Sequence, residues 1–408
     1  TFLSDFTYVT NLVDAQLLVM MSVASLYMGI QYSHKIFWAA SFGPALLNIV
    51  ILVVFGAYAA YVRLAGGRFD VTSIYIFSVA TLIAAVAQVV FQIYTVHRRG
   101  LAPRYSLNLR HGALRALGSM MLPAVFAASM QELGQLIDVY LATSLANRVP
   151  EAISALTYSH RLIQLPIGIF GVAVATASLP QLSRIYQEDP TGTKFSESLG
   201  YSVRLNFFFL LPAVAGLVVF STPIVKLIFE RGAFTVRSTD VTATALMCYA
   251  PGILAYSLQK IFTVSLYARM NTRTPAIITA VALLLNFSLS LLLMQSLLHG
   301  GLALGSALAA WCGVLIYATV LLRGGILRSP GRLAVDLGKI LILNGVFAAL
   351  LIVLRKLVFP ERAALQLIVS IPVALAAYVA LAYAARLDEA KAFFELLGKL
   401  RKKFGGQN

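Results

Sequence analysis

Charge is scarce in this chain. Only 12% of its 408 residues are charged, against about 25% in a soluble domain. Acids are scarcer still, with 16 Asp and Glu against 32 Lys and Arg, and they are scattered rather than clustered. That leaves no acidic metal triad and no converging acid and base groups of the kind a membrane-embedded enzyme needs. The two cysteines, Cys248 and Cys312, both lie inside apolar runs, which excludes a disulfide framework and cysteine-based metal spacing. There is no glycine-rich phosphate loop or Walker motif, so ATP hydrolysis by this chain is not expected. Apolar and polar residues do not alternate strictly, which removes a transmembrane barrel. The sequence opens on TFLSDF, with no initiator Met and no secretory signal.

What is abundant is apolar sequence. Hydrophobic residues make up 59% of the chain and fall in runs of about 20, the length that crosses a bilayer core. The expected class is an all-α polytopic membrane protein with about eleven spans. They cover 12–30, 42–61, 73–94, 114–145, 152–182, 199–220, 241–267, 275–298, 302–322, 334–354 and 365–385. Spans four and five are longer than a bilayer requires and should tilt or protrude. The stretch DEAKAFFELLGKLRKKF, 388–404, has the pattern of a basic amphipathic helix lying on an anionic membrane surface.

The net charge of +16 does not indicate nucleic acid, because most of it sits in loops between spans and in the C-terminal tail. Such residues are topology signals. The loop after span three carries Arg98, Arg99, Arg104, Arg110 and Arg115 without an acid. Those after spans seven and nine carry Arg269 and Arg273, then Arg323, Arg328 and Arg332. The C-terminus lies on the same side, which the positive-inside rule makes cytoplasmic. An odd number of spans then puts residue 1 outside.

Two segments about 240 residues apart share a pattern: SLYMGIQYSHKIFWAASFGPALLN (25–48) and SLYARMNTRTPAIITAVALLLN (265–286). An offset of six spans implies parallel repeats, common in transporters that bind their ligand between the halves. If the second repeat starts at span four, three spans of the first are missing here and the complete architecture has about fourteen.

Several polar residues fall inside the apolar runs. Span four aligns Gln131, Gln135, Asp138 and Ala142 on one face, with Glu132 beside it. Span five aligns Arg161, Gln164, Gly168, Gly171, Ala175 and Ser178. Span seven aligns Tyr249, Gly252, Tyr256, Lys260 and Thr263, and span eight holds Asn286. Small residues at this spacing are commonly helix-packing surfaces, and Asn286 alone is commonly an interhelical hydrogen bond. Arg161 admits two readings: a structural pair with Asp138 or Glu132, or a cavity wall. Lys260 admits the same two. His160 fits a packed or cavity-edge ring, or a proton-coupling group. Pro166, Pro180 and the Pro251–Gly252 pair mark bends, which suit a cavity wall that rocks. A charge at mid-membrane costs several kcal/mol on most scales and usually lines a pathway. A cavity with Arg161 and Lys260 and few acids calls for an anion, with Arg matched to a phosphate or pyrophosphate. Transport would draw on an ion gradient or the membrane potential, about 2.3 kcal/mol per charge per 100 mV.

At these residues the chain resembles the MurJ (MviN) family of lipid II flippases, which serve peptidoglycan biosynthesis and cell shape in bacteria. The family belongs to the MOP superfamily with MATE exporters and O-antigen flippases. The resemblance rests on YSHRLIQLPIGIFGVAVATASLPQLSR (158–184), IFERGAFT (228–235), YAPGILAYSLQKIF (249–262), LYARMNTRTP (266–275) and FGPALLN (42–48). It implies a two-lobe bundle of fourteen helices, of which this chain would carry the fourth to the fourteenth. Residues 1–97 would complete the first lobe, 98–115 join the lobes and 116–323 form the second lobe. The two helices in 333–386 would form a groove for the lipid tail, and 387–408 the cytoplasmic tail. The implied activity is alternating access in the cytoplasmic membrane. The headgroup of lipid II, an undecaprenyl-pyrophosphate disaccharide-pentapeptide, would cross from the inner to the outer leaflet, through a monomeric transporter rather than an enzyme.

By the same resemblance, the family's essential cavity arginine falls on Arg161. His160 stands where some members keep Asp. Lys260, Gln164, Glu132, Gln135 and His160 would complete the headgroup site, with Pro166, Gly168, Gly171, Pro251 and Gly252 in its moving wall. A sodium site used by some members falls on Asp138 and Asn286, and its second acid falls on Ser290, which brings no charge. The coupling ion would be Na+ or H+. Two other transporters remain in view: a flippase for another polyprenyl-linked glycan, and a MATE-type drug or cation antiporter. The second should favour an acidic, aromatic cavity, which the Arg161 and Lys260 pair argues against.

Overall fold

The computed structural model describes residues 2–34, 36–67, 71–101, 103, 112–189, 192–328, 330–357, 363–385, 387 and 389–390. Among them there is helix and no strand. The helices are α1 (Phe2–Ser33), α2 (Phe37–Leu64), α3 (Val71–Arg98), α4 (Gly112–Ser144), α5 (Ala152–Pro166), a π-helical segment (Ile167–Val172), α6 (Ala173–Glu188), α7 (Thr193–Val219), α8 (Ser221–Phe229), α9 (Val236–Tyr249), α10 (Gly252–Tyr267), α11 (Arg273–Arg323), α12 (Pro330–Leu357) and α13 (Ala363–Ala384). The eleven apolar stretches read from the sequence fall mainly on helix, with 241–267 broken at Ala250–Pro251. Seven helical stretches among the described residues are long and apolar enough to cross a bilayer, and α9 with α10, bent by 43°, forms an eighth. The expected amphipathic tail and most of the basic loop after α3 lie outside the described residues.

The chain divides into two compact units, 1–109 and 110–408. In the first, α3 packs on both α1 and α2. The contact is polar at its centre. The Gln31 amide donates to the Gln92 carbonyl (3.4 Å), and the Gln92 amide donates to that of Ala39 (3.4 Å). Gly43 lets α2 close over this pair, since an added Cβ there would overlap the Gln92 amide. In hydrocarbon such amides have no water to turn to, so they bond across helices.

The second unit is built on a fold in α11. Leu298, at φ 51° and ψ −130°, breaks the 51-residue element. These angles suit the first central residue of a type II′ turn, a position that favours glycine. The two halves then run antiparallel. Gly301 meets the Leu293 carbonyl, Gly305 meets the backbone of Ser290, and an added Cβ at Gly313 would come within 3.7 Å of Ala282. Glycine at 301 and 305 removes the side chain that would hold the halves apart. His299 ties the turn to α9 through a 2.9 Å contact between its Nε2 and the Val241 carbonyl. The second half of α11 also receives α10. The Gln259 amide donates to Ala310 O (2.6 Å), and Thr263 shares a hydrogen bond with the buried Tyr317 hydroxyl (2.8 Å).

The long helix of span five is not one continuous α-helix. Pro166 supplies no N–H, and the segment 167–172 continues as π-helix. The wider turn holds about one extra residue, which rotates all later side chains by roughly 100°. The stripe expected from Arg161 to Ser178 is therefore divided. Arg161, Gln164 and Gly168 are exposed, whereas Gly171, Ala175 and Ser178 are buried. Gly171 lies against Ser257 of α10, where a Cβ would overlap the Ser257 hydroxyl, while Gly168 faces open space. Ser178 shares a 2.8 Å hydrogen bond with Ser202 of α7, and the Asn206 amide donates to Ser257.

The last two helices pack onto this unit. α12 lies along α7, and α13 contacts α8 and α12. Tyr378 donates to Phe208 O (2.9 Å) and packs on Phe347, with ring centroids 5.2 Å apart. Arg355 donates to Val219 O (2.6 Å), and the Gln366 amide donates to Arg355 O (2.7 Å), which ties the end of α12 to both neighbours.

The α11 fold gives a stability test. A Gly305→Ala methyl would lie 2.8 Å from Ser290 N and 2.9 Å from its Cα, and backbone atoms cannot step aside. It should cost about 1–3 kcal/mol by overpacking. Gly216→Ala, in α7 with nothing within 4 Å, should instead gain about 0.5–1 kcal/mol. Thermal unfolding of the two variants in detergent should move in opposite directions from the parent chain.

Candidate functional site

Three helical faces meet around Asp138. It lies near the end of α4, one turn after Gly134, and that glycine admits the first half of α11: an added Cβ would stand 3.4 Å from Leu283 and 3.8 Å from the Asn286 amide. Asn286 and Ser290 are one turn apart on the first half of α11 and share a face. Ser306 comes from the second half, which the break at Leu298 returns alongside.

The four side chains form one hydrogen-bonded cluster. Ser306 Oγ donates to Asp138 Oδ2 (2.8 Å), and Asn286 Nδ2 lies 3.4 Å from Asp138 Oδ1. Ser290 Oγ is 3.0 Å from Asn286 Oδ1, and Ser306 Oγ is 3.1 Å from the same atom. Both hydroxyls also approach the Leu302 carbonyl, at 3.5 and 3.1 Å. A hydroxyl carries one hydrogen. The single hydrogen of Ser306 thus faces three acceptors, and that of Ser290 faces two. Oxygen acceptors outnumber the hydrogens available to them, so the cluster has capacity for one more positive partner.

The structure brings Asp138, Asn286 and Ser290 together, as named from the sequence, and adds Ser306, which the sequence reading missed. No periodicity on one helix could have found Ser306, since it reaches the site only through the reversal of α11. A turn-prone LLHGG stretch at 297–301 was the available signal. Asp138 forms no ion pair with Arg161; its oxygens meet Ser306 and Asn286 instead. Glu132, the other partner considered for Arg161, has a side chain outside the described residues.

The proposed headgroup residues are spread over α4, α5 and α10. Arg161 is exposed on α5 and forms no ion pair among the described residues. Its neighbour His160 is half-buried, with its Nδ1 3.4 Å from the Gln164 amide and its ring edge-to-face with Tyr249 (5.7 Å). That aromatic contact holds α5 to α9. Gln135 is exposed on α4, and Lys260 is half-buried on α10. Pro251 and Gly252 occupy the 43° bend between α9 and α10. The Pro251 carbonyl accepts from Trp311 Nε1 (3.0 Å), and Gly252 lets Ala307 approach to 3.0 Å of where its Cβ would be. Among the described residues no group of three or more His, Cys, Asp or Glu could hold a metal ion. The oxygen set around Asp138 suits a hard monovalent cation or a proton rather than a transition metal.

The motifs 228–235 and 266–275 turn out to be connections. Thr235 caps α9 by accepting from Ser238 N (3.2 Å), and Glu230 accepts from Thr239 (2.7 Å). Asn271 Oδ1 accepts from Thr274 N (3.1 Å) ahead of α11.

Comparison with known proteins agrees with this architecture. A family model described as "Lipid II flippase MurJ" matches residues 7–374. A relative from Rickettsia prowazekii named "Probable lipid II flippase MurJ" is 32% identical over 297 residues, covering 72% of this chain and 55% of the relative. A second so named, from Rhizobium meliloti, is 34% identical over 316 residues, covering 75% and 56%. The chain thus spans about half the length of the curated relatives it matches. Among solved structures, "Lipid II flippase MurJ, inward closed conformation" superimposes with a TM-score of 0.68 at 21% identity, covering 92% of this chain and 74% of that one. A Vibrio cholerae MATE transporter gives 0.59 at 17% identity, covering 73% and 66%. These structural likenesses speak to fold alone. With the family model matching nearly its whole length, this multi-pass helical membrane protein belongs to the MurJ family.

Proposed function

We propose that the protein moves lipid II from the inner to the outer leaflet of the bacterial cytoplasmic membrane by alternating access, with its C-terminus in the cytoplasm. The family match carries this reading, and Arg161 supports it. An exposed arginine among apolar spans, without a carboxylate partner among the described residues, is poised for an anion such as the pyrophosphate of lipid II. The π-helical segment and the bend at Pro251 lie on the same helices as Arg161 and Lys260. They supply points at which α5–α6 and α9–α10 can flex during transport.

We propose further that the Asp138 cluster holds the coupling ion, sodium or a proton. Asp138 offers one negative charge, Asn286 a side-chain carbonyl, and Ser290 and Ser306 two hydroxyl oxygens. Four oxygen-bearing side chains with a single charge fit Na+ chemistry, and the surplus of acceptors over hydrogens fits either ion. A bound cation would offset the carboxylate charge and tie α4 to both halves of α11. The neutral Ser290 limits the site to that one charge.

Two measurements test these readings. In a bacterium depleted of its lipid II flippase, the protein should restore growth, and Arg161→Ala should abolish rescue while remaining inserted and folded. Rescue by Arg161→Ala at the level of the parent protein would refute the anion role. For the ion site, replacing choline chloride by sodium chloride should raise the unfolding temperature of the purified protein. Asp138→Asn should remove that rise. Ser306→Ala should weaken sodium binding by about 1 kcal/mol, roughly fivefold in apparent affinity. A sodium response unchanged in Asp138→Asn would exclude this cluster as the sodium site. A response to pH in place of sodium, lost in the same variant, would assign it to protons.

A further inference from the structure

A cavity of about 300 Å³ opens in the 110–408 unit where α7 begins and where α11 passes into α12. Ser196, Glu197 and Arg204 of α7 line it together with Arg328, Arg332 and Leu333. It is separate from the Asp138 cluster and from Arg161, and shares no residue with either.

Its charges are unevenly compensated. Arg204 is already held by two carboxylates, donating to Glu389 (2.7 Å) and lying 3.4 Å from Asp336. Arg328 and Arg332 form no ion pair among the described residues. The position of Arg328 is built rather than incidental. Its backbone N–H donates to Ser196 Oγ (2.8 Å), and its Nε donates to Gly325 O (3.2 Å). The rest of its guanidinium passes over Gly192, where an added Cβ would stand 3.5 Å from Nη2. Arg204 and Lys339 together balance Asp336 and Glu389, so Arg328 and Arg332 against the one carboxylate of Glu197 leave a net single positive charge around the cavity. That balance matches a monoanion.

The depth of the cavity narrows the ligand further. α7 starts at Thr193, α11 ends at Arg323 and α12 starts at Pro330, so the cavity lies at the ends of spans, where the phosphates of a bilayer lie. Leu333 adds an apolar wall beside the arginines. We propose that this cavity binds a phosphate group at the membrane surface, carried by an anionic glycerophospholipid and held by Arg328 and Arg332. A phosphodiester headgroup carries one negative charge and accepts the guanidinium fork in pairs of hydrogen bonds. Its occupant bridges α7 to the α11–α12 joint. Through Arg204 and Glu389 the same wall reaches the chain beyond α13. The site is thus placed to fasten the last two helices to the unit according to the lipid around it, whichever cargo the protein carries.

Native mass spectrometry of the purified protein, given equal phosphatidylglycerol and phosphatidylcholine, tests this. The parent protein should retain phosphatidylglycerol preferentially, and the double variant Arg328→Gln, Arg332→Gln should lose that preference about tenfold, as expected for two charge-assisted contacts. Glu197→Gln, which removes the opposing charge, should retain more of the anionic lipid than the parent. A second arm measures unfolding temperature in phosphatidylcholine micelles with added inorganic phosphate. If phosphate protects the parent but not the double variant, while phosphatidylglycerol is not preferred, the pocket binds phosphate from a soluble source. Equal retention and equal protection in the parent and a folded double variant would overturn the proposal. Should the double variant not fold, Glu197→Gln decides: unchanged retention of both ligands overturns it.

Discussion

The two halves of α11 lie closer than side chains allow, and much of the second unit follows from that approach. Gly301 and Gly305 leave room for the backbones at Leu293 and Ser290 to come into contact. The turn at Leu298 reverses the chain, and Ser306 arrives beside Asn286. In a bilayer this packing has no hydrophobic drive, because lipid tails are as apolar as leucine. Close approach and interhelical hydrogen bonds hold it instead. The same fold gives the second half of α11 a surface that receives Gln259 and Thr263 from α10, and its Trp311 donates to the Pro251 carbonyl at the α9–α10 bend. An ion held at Asp138 would thus touch the packing of three elements at once, which is the physical basis for coupling occupancy to the shape of the unit.

The π-helical segment after Pro166 serves a different purpose. It lets one long helix present Arg161, Gln164 and Gly168 outward while burying Gly171, Ala175 and Ser178 against α7 and α10. A regular α-helix would set all six on one side and force either the arginine into the packed interface or the small residues out of it. The extra residue in the turn separates the two tasks. The segment lies beside a proline, and its Gly171 packs against Ser257, which is itself held by the Asn206 amide.

Much of the architecture could be read in the sequence. Apolar run length sets where helices form in a membrane, and the eleven stretches fall mainly on helix with boundaries shifted by a few residues. Asp138 and Asn286 stood out because polar side chains in apolar runs are rare, and the family resemblance added Ser290. Ser306 did not stand out, since a serine in a run of alanine and glycine looks like packing. The divided stripe of span five was hidden for a related reason. Helical periodicity was extrapolated through Pro166 at 3.6 residues per turn, and nothing in the composition announces a turn of a different width. Arg204, inside the sixth apolar run, was not singled out in the sequence, and its partners, Asp336 and Glu389, lie 132 and 185 residues away.

The sequence by itself determined the solvent this protein lives in, where along the chain its helices lie, and the few polar groups that must find partners there. These follow from local properties: the length of an apolar run and the cost of a lone carboxylate in hydrocarbon. Only the tertiary structure decided which groups meet. The reversal at Leu298, the width of the π-helical turn and the two uncompensated arginines beside Ser196 each depend on backbones that approach from distant parts of the chain. No local rule fixes the distance between them; glycine positions and interhelical hydrogen bonds do.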